Sequence, residues 1–372
     1  MTTSTPPVAQ HPGPTAESGG ERSAAARFWR SLTRTTTGQV YLALIAILVV
    51  CWVVVAIKGS NLLSIDSIAD MLIRSVALGI VAAGQTLVII GMSLDLSVAW
   101  VISLTSIVAA VVMDGSNANI APGILVVLAL GMAIGLVNGL VITKLRVNPF
   151  IATLGVALII QGFIESRWDG VVEGVPGGFE DSLGYSEIGP LPIAVLLLVA
   201  VYALVWFLLR YTRFGHQLYA VGGSEEVSKL SGVRTHRILI MAHVICSLCA
   251  AVTGLYLAAR LGAGSPLVGT DGGYDLESIA AVVLGGTYLL GGRGSVLGTL
   301  AGVFILAILD STFNALEVNA FAKDVVRGVI IIVAVAAYSF RWKERRVRKI
   351  GAGPAPAVTG NAPQTQTPGA NA

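Results

Sequence analysis

The chain has 372 residues, a hydrophobic fraction of 55%, a charged fraction of 12% and a mean hydropathy of +0.80. A soluble domain carries about 25% charged residues, so too little charge is present to cover a water-exposed surface; a soluble enzyme and a disordered protein are both excluded. The formal net charge of +3 is too small to argue for nucleic acid as a partner, and the 43 glycines fit a helical membrane protein, where glycine is common.

Residues 1–38 are rich in Pro, Ser, Thr and Gly and predict a disordered tail. The first apolar run, 40–57, is followed by KGSNLLS, which is no cleavage site, so it reads as an uncleaved span. Nine further runs follow, at 68–91, 97–113, 121–143, 150–167, 191–209, 238–259, 276–290, 295–313 and 325–340. A helical span needs about 20 apolar residues; the third and eighth runs fall short and leave room for tilted, broken or re-entrant segments.

Charge placement orients these spans. With the N-terminus in the cytoplasm, the inside segments hold 18 of the 24 Lys and Arg residues, six of them between Arg341 and Lys349. The longest outside loop, 168–190, has five acids and no Lys or Arg. The expected fold class is therefore an all-α polytopic membrane protein of about ten transmembrane helices with both termini cytoplasmic. Its expected domains are the tail 1–38, a transmembrane domain over 39–341, and a basic then disordered tail over 342–372.

Catalytic chemistry is not visible. No P-loop, HExxH or GxSxG motif occurs, and GGTYLLGGRGSVLG lacks the Lys and Ser/Thr that a phosphate cradle needs, so it reads as a tight turn. Cys246 and Cys249 form a CxxC inside an apolar helix, with no second pair for a metal; they read as packing residues. Ion-coupled carriers place charges inside spans despite a cost near ~3 kcal/mol each. Here the interior candidates are few: Asp95, Asp310, Glu165 and His243, the last without an obvious partner. Asp70 and Arg74 are spaced to pair on one helix face. This scarcity suits a pore for a neutral polar solute whose energy comes from elsewhere.

The most informative stretch is 222–237, GGSEEVSKLSGVRTHR. Ser224 suits an N-cap, Glu225 and Glu226 the first turn and Lys229 the last, and Gly232 the left-handed position after the helix. Val227 and Leu230 share a face that Val233 could extend. The spacing predicts a short amphipathic helix over about 224–232 at the cytoplasmic surface, docked either on the spans or on a cytoplasmic partner.

Gln85 and Thr86 lie inside the second run, as interhelical glue or as groups facing a passing solute. Asp95, flanked by Ser93 and Ser97, follows a helix break; it is either an N-cap for the third span or a constriction residue in a discontinuous helix. Gly131, Gly135 and Gly139, and again Gly294, Gly298 and Gly302, form glycine strips for close helix packing.

Four segments carry a family resemblance over about residues 40–340: GQTLVIIGMSLDLSVAWVISL (84–104), NGLVITKLRVNPFIATLG (138–155), TRFGHQLYAVGGSEEVSKLSGV (212–233) and GYDLESIAAVVLGGTYLLGGRGSVLGTLAG (273–302). They resemble the permease subunits of bacterial ABC importers for ribose, xylose, galactose and related monosaccharides. The resemblance implies a type II importer-like fold in the bacterial cytoplasmic membrane. It implies a second permease copy or a paralogue, a separate ABC ATPase subunit that uses ATP and Mg²⁺, and an extracytoplasmic sugar-binding protein. This chain itself would bind no cofactor or metal. The family's ATPase-contacting segment resembles Gly222, Gly223, Ser224, Glu225, Glu226, Val227, Leu230, Ser231 and Gly232. The expected translocation-path residues are Gln85, Thr86, Asp95, Ser97 and Asp310. The sequence departs from the family at GMSLDLSVAW, where relatives read GGIDLSVGS: Met92 and Ser93 stand near a usual glycine, Ala99 replaces another and Trp100 is bulky. Asp310 stands where Asn is common. A stand-alone ion-coupled carrier is the alternative reading.

Overall fold

The computed structural model describes residues 35–189, 191–319, 321–323, 325–326, 328–329 and 332. The N-terminal tail up to residue 34, most of the tenth apolar run and the basic C-terminal segment lie outside the described residues. Eleven helices frame the rest: α1 (Thr36–Ile57), α2 (Ile65–Ile90), α3 (Val98–Met113), α4 (Ile120–Lys144), α5 (Pro149–Glu165), α6 (Ile193–Tyr211), α7 (Arg213–Gly223), α8 (Glu225–Leu230), α9 (Thr235–Leu261), α10 (Tyr274–Leu284) and α11 (Val296–Ala315). Between α5 and α6 a two-residue antiparallel ladder pairs Glu187–Ile188 with Leu191–Pro192. The molecule is thus a helical polytopic membrane protein: among the described residues six helices (α1, α2, α4, α6, α9 and α11) are long and apolar enough to cross a membrane, and α3 and α5 are shorter apolar helices.

In a bilayer the lipid tails are as apolar as Leu, so burial of apolar surface does not drive helices together; close van der Waals packing of small residues does. The glycine strip of α4 works in this way. A Cβ at Gly131 would meet Ala251 and Ser247, one at Gly135 would lie 2.6 Å from the Val244 Cα, and one at Gly139 2.7 Å from the Ile240 Cα. α4 therefore lies backbone to backbone along α9. Gly84 of α2 approaches Cys246 and Cys249 in the same manner, at 2.9 Å from each, and both cysteines are buried and free. The CxxC is a packing element, as its apolar setting suggests.

The eighth run takes an unexpected form. α10 has only 11 residues, about 16 Å of helix at 1.5 Å per residue, half the hydrocarbon thickness. The chain before it is irregular apart from one short helical turn, Val268–Asp271, and lies along α3. Gly264 pairs with Val172, the Ser265 carbonyl accepts from Ser106 Oγ, and the Gly269 N–H donates to Ser103 Oγ at 3.0 Å. The backbone at 264–270 thus descends beside α3 before α10 begins. Irregular backbone at this depth is tolerated only where protein buries it or water lines it, and Gly264 and Gly269 meet α3 so closely that no side chain would fit.

Candidate functional site

Two polar regions stand out, one buried and one exposed. The buried one forms where α2 ends. Gly91 closes the helix, Met92 takes a left-handed φ of 63° and residues 92–97 run without helical structure until α3 starts at Val98. Asp95, Ser97, Asn138 and His243 have no exposed surface, and Ser93 retains 5%. Asp95 Oδ1 accepts from the Ser97 N–H at 3.0 Å and from the Ser97 hydroxyl. This is an Asx turn, the local bond by which aspartate holds a backbone out of a helix. Asn138 Nδ2, from α4, donates to Ser97 Oγ at 2.9 Å and reaches Asp95 Oδ2 at 3.4 Å. His243 Nδ1, from α9, lies 3.5 Å from Asp95 Oδ2, and its Nε2 is hydrogen-bonded to Ser93 Oγ at 2.9 Å. Thr153 of α5 accepts from the Leu96 N–H.

Three helices, α4, α5 and α9, therefore converge on a six-residue break. Residues 92–97 form a non-helical link between α2 and α3, and Asp95 does not cap α3: its carboxylate bonds to Ser97, and Ser97 is the N-cap residue, without a side-chain cap bond. His243, without a visible partner in the sequence, acquires two. Asn138 escaped notice because an amide beside a glycine strip carries no pattern of its own. The cluster is also incompletely satisfied, since Asn138 Oδ1 and His243 Nδ1 are buried without a hydrogen bond, as are Gln85 Nε2 and Ser247 Oγ nearby on α2 and α9. Such groups in a native interior call for water, an ion or a second conformation.

The other expected path residues divide. Gln85 is buried, and its Oε1 accepts from Cys246 Sγ at 3.4 Å. Thr86 donates to the Ala82 carbonyl and shares a hydrogen bond of 2.8 Å with Thr299, which ties α2 to α11. Asp310 is half-buried on α11, an element that supplies no member of the Asp95 cluster. Asp70 and Arg74 do not form the ion pair their spacing allows. Both are exposed, and they line a separate cavity of about 440 Å³ with Ser64, Ser67, Ser311 and Asn314.

The exposed region is α8. Ser224 Oγ accepts from the Val227 N–H at 3.3 Å, Glu225 and Lys229 pair at 2.7 Å, and Glu225 Oε1 also accepts from Thr235 Oγ1 on α9 at 3.1 Å. The hydrogen bond from Lys229 is the main reason that the Glu225 carboxyl is held below its ordinary value, with Thr235 adding to it. At the C-terminal end Gly232, at φ +81°, donates to the Lys229 carbonyl, and Val233 N–H donates to Ser228. This is the double-bonded glycine stop of a helix. Val227 and Leu230 are 60% and 85% exposed. Val233 is half-buried against the core and lines one groove with Val227, Ser228 and Ser231. Gly222, just before the helix, is buried against the Ile90 carbonyl and Gly292, whereas Gly223 is exposed and a Cβ there would meet nothing.

A many-helix membrane protein with a broken, polar-lined inner helix and a capped apolar-faced helix between α7 and α9 has the anatomy of a transporter's membrane component. The comparisons with known proteins narrow this. The family described as "Branched-chain amino acid transport system / permease component" matches residues 67–335. The ribose import permease protein RbsC of Escherichia coli K12 is 37% identical over 318 residues, covering 82% of this chain and 97% of that protein. RbsC of Bacillus subtilis is 35% identical over 288 residues, 76% of this chain and 88% of that protein. The galactose/methyl galactoside import permease protein MglC of E. coli K12 is 32% identical over 333 residues, 85% and 97% of the two chains. No solved structure gives a significant match. The chain belongs to this family of transport-system permease components. It is a multi-pass protein of the cytoplasmic membrane and a transport component, not an enzyme, and family membership favours an importer subunit over a stand-alone carrier.

Proposed function

We infer that the chain is the membrane subunit of an ATP-binding-cassette importer that moves a monosaccharide or a similar neutral polyol into a bacterial cell. The observation that carries this is α8: a two-turn helix is too short to be stable alone, yet it is capped at both ends and presents Val227 and Leu230 outward. An apolar pair held open in this manner suits a cytoplasmic ATPase subunit, with Glu226 and Ser231 at its edge. ATP and Mg²⁺ belong to that subunit; this chain holds no cofactor of its own.

The buried polar residues favour a sugar over an amino acid. A zwitterion needs a cation for its carboxylate, and among the described residues the buried polar set holds no Lys or Arg. It offers one carboxylate, one imidazole, amides and hydroxyls, which suit neutral hydroxyls. The path passes Asp95, Ser97, Gln85 and Thr86, with Asp310 towards the outer end of α11. Ten crossings with both termini cytoplasmic fit the charge distribution, with 264–284 as one discontinuous crossing. An extracytoplasmic sugar-binding protein delivers the solute, and a second copy of the chain or a paralogue completes the pathway.

Purification from the native membrane in mild detergent tests this. The expected result is a co-purifying P-loop ATPase whose hydrolysis rises when a secreted sugar-binding protein loaded with ribose or galactose is added. A chain that purifies alone and moves ribose in vesicles under an ion gradient without ATP overturns it.

A further inference from the structure

The buried break and the cytoplasmic helix are joined through a junction made almost wholly of backbone. Gly222, in the last turn of α7 and two residues before the N-cap of α8, packs on the final carbonyl of α2. A Cβ at 222 would overlap the Ile90 oxygen and stand 2.6 Å from the Gly292 nitrogen. Gly292 N–H donates to the same Ile90 oxygen at 2.9 Å. Gly291 and Gly292 hold φ of +78° and +72°. A Cβ on the first would lie 2.7 Å from Met92 Cβ, and one on the second 2.7 Å from Gly223 Cα. Three chain segments thus meet at the inner end of α2 with no side chain between them to absorb a movement. Tight packing of this kind passes a displacement on and does not cushion it.

A second link leaves α8 in another direction. Glu225 accepts from Thr235 at the start of α9, and His243 stands eight residues further along that helix, about 12 Å at 1.5 Å per residue. Asp95 stands five residues beyond Ile90. One end of the Asp95–His243 contact therefore hangs from the glycine junction and the other from α9, and α8 touches both. The contact is unfinished: His243 Nδ1 lies 3.5 Å from Asp95 Oδ2 without a hydrogen bond. A shift of about 0.6–0.8 Å would bring the pair to the ordinary charge-assisted length of about 2.7–2.9 Å.

We propose that Gly222, Gly292 and the Ile90 carbonyl form the transmission joint between α8 and the broken helix, and that Asp95 and His243 are the two halves of a latch that this joint closes and opens. The proposal rests on the ATPase-docking reading of α8. Gly222 is a positioning residue; it touches no solute.

The test uses the complex of this chain with its ATPase. Ser93→Cys places a near-isosteric thiol on the break, where the three native cysteines are buried. Its rate of maleimide labelling is expected to differ about fivefold or more between nucleotide-free and ATP-trapped complexes, the lower end of ordinary coupling between sites. Adding Gly222→Ala is expected to abolish that difference and the stimulation of hydrolysis by loaded binding protein. A labelling rate indifferent to nucleotide in the otherwise unaltered chain overturns the proposal, whether or not Gly222→Ala inserts. Full stimulation of hydrolysis in Gly222→Ala overturns it too. Failure of the parent chain to retain an ATPase at all falls on the docking reading instead.

Discussion

The cluster at 91–97 and the helix at 224–232 are both polar and short, yet they are held in opposite ways. α8 is made by its own sequence: its caps, its i,i+4 pair and its glycine stop lie within nine residues. The buried cluster is made by the break, which supplies Ser93, Asp95 and Ser97, and by three helices that supply one group each, and none of these means much alone. The difference teaches where each is vulnerable. Removing one group from the cluster strands its partners in a place water does not reach, whereas removing one group from α8 leaves the rest wet and the bundle unharmed.

Four changes probe that contrast, from the largest effect to the smallest. Asp95→Leu leaves the Asn138 amide, the Ser97 hydroxyl and His243 without their common acceptor. Loss of one member of a buried charged network costs about 3–5 kcal/mol, so thermal unfolding in detergent is expected at a clearly lower temperature, and an unchanged midpoint would mean the cluster is not a stabilising network. Leu230→Asp removes the most exposed apolar residue of α8. Here the midpoint is expected to stay put while affinity for the ATPase subunit falls by about 2 kcal/mol, the scale of an interface anchor; a pull-down titration reads it. Ser224→Ala deletes the N-cap bond to Val227 and should destabilise α8 by about 1 kcal/mol, seen as about fivefold faster amide exchange confined to 225–230.

The smallest effect is that of pH on α8. Glu225 is held below its ordinary value, first by the Lys229 hydrogen bond. A lowered folded value means the stabilisation is fully present above the unfolded glutamate pKa of about 4.3 and is lost as pH falls through the lower folded one. The pair is half-exposed, so screening limits it to about 0.5 kcal/mol. Amide exchange in α8, corrected for intrinsic rates, is expected to quicken slightly below pH 4 in the parent and not in Lys229→Ala. Equal acid sensitivity in both would place the proton elsewhere.

Met92 belongs to the same contrast. It occupies a left-handed conformation that costs an L-residue about 1–2 kcal/mol relative to glycine's freedom. Met92→Gly should therefore leave stability unchanged or raised, because entropy lost on folding offsets part of the gain.

Much of the molecule was legible because two kinds of pattern are local. Apolar runs 40–57, 68–91, 97–113, 121–143, 150–167, 191–209, 238–259 and 295–313 reappear as α1 to α6, α9 and α11 with ends displaced by a few residues, since hydrocarbon thickness sets span length. The caps of α8 were readable because capping groups sit within four residues of the groups they satisfy. The eighth run was not readable in this way. Its apolar stretch 276–290 points to a helix ending past Gly286, but the helix stops at Leu284, and before it the segment 264–271, with one helical turn at Val268–Asp271, runs beside α3. The spacing of Gly264, Pro266, Gly269, Gly272 and Gly273 was the available signal; hydropathy does not register it. Asp70 and Arg74 show the reverse error, a spacing that permits a pair the side chains do not make.

The sequence by itself determined the membrane class, the positions of most spans and the complete architecture of α8, because hydrophobic length and helix capping are both settled within one segment. Only the tertiary structure decided that Ser93, Asp95, Ser97, Asn138 and His243 share one buried site. It also decided that Gly222 and Gly292 close on one carbonyl. The physical reason is that a buried polar group is satisfied by whatever donor the packing brings within about 3 Å, and helices whose lipid-facing surfaces are all equally apolar are brought together by the fit of their small residues, a three-dimensional property that no single segment encodes.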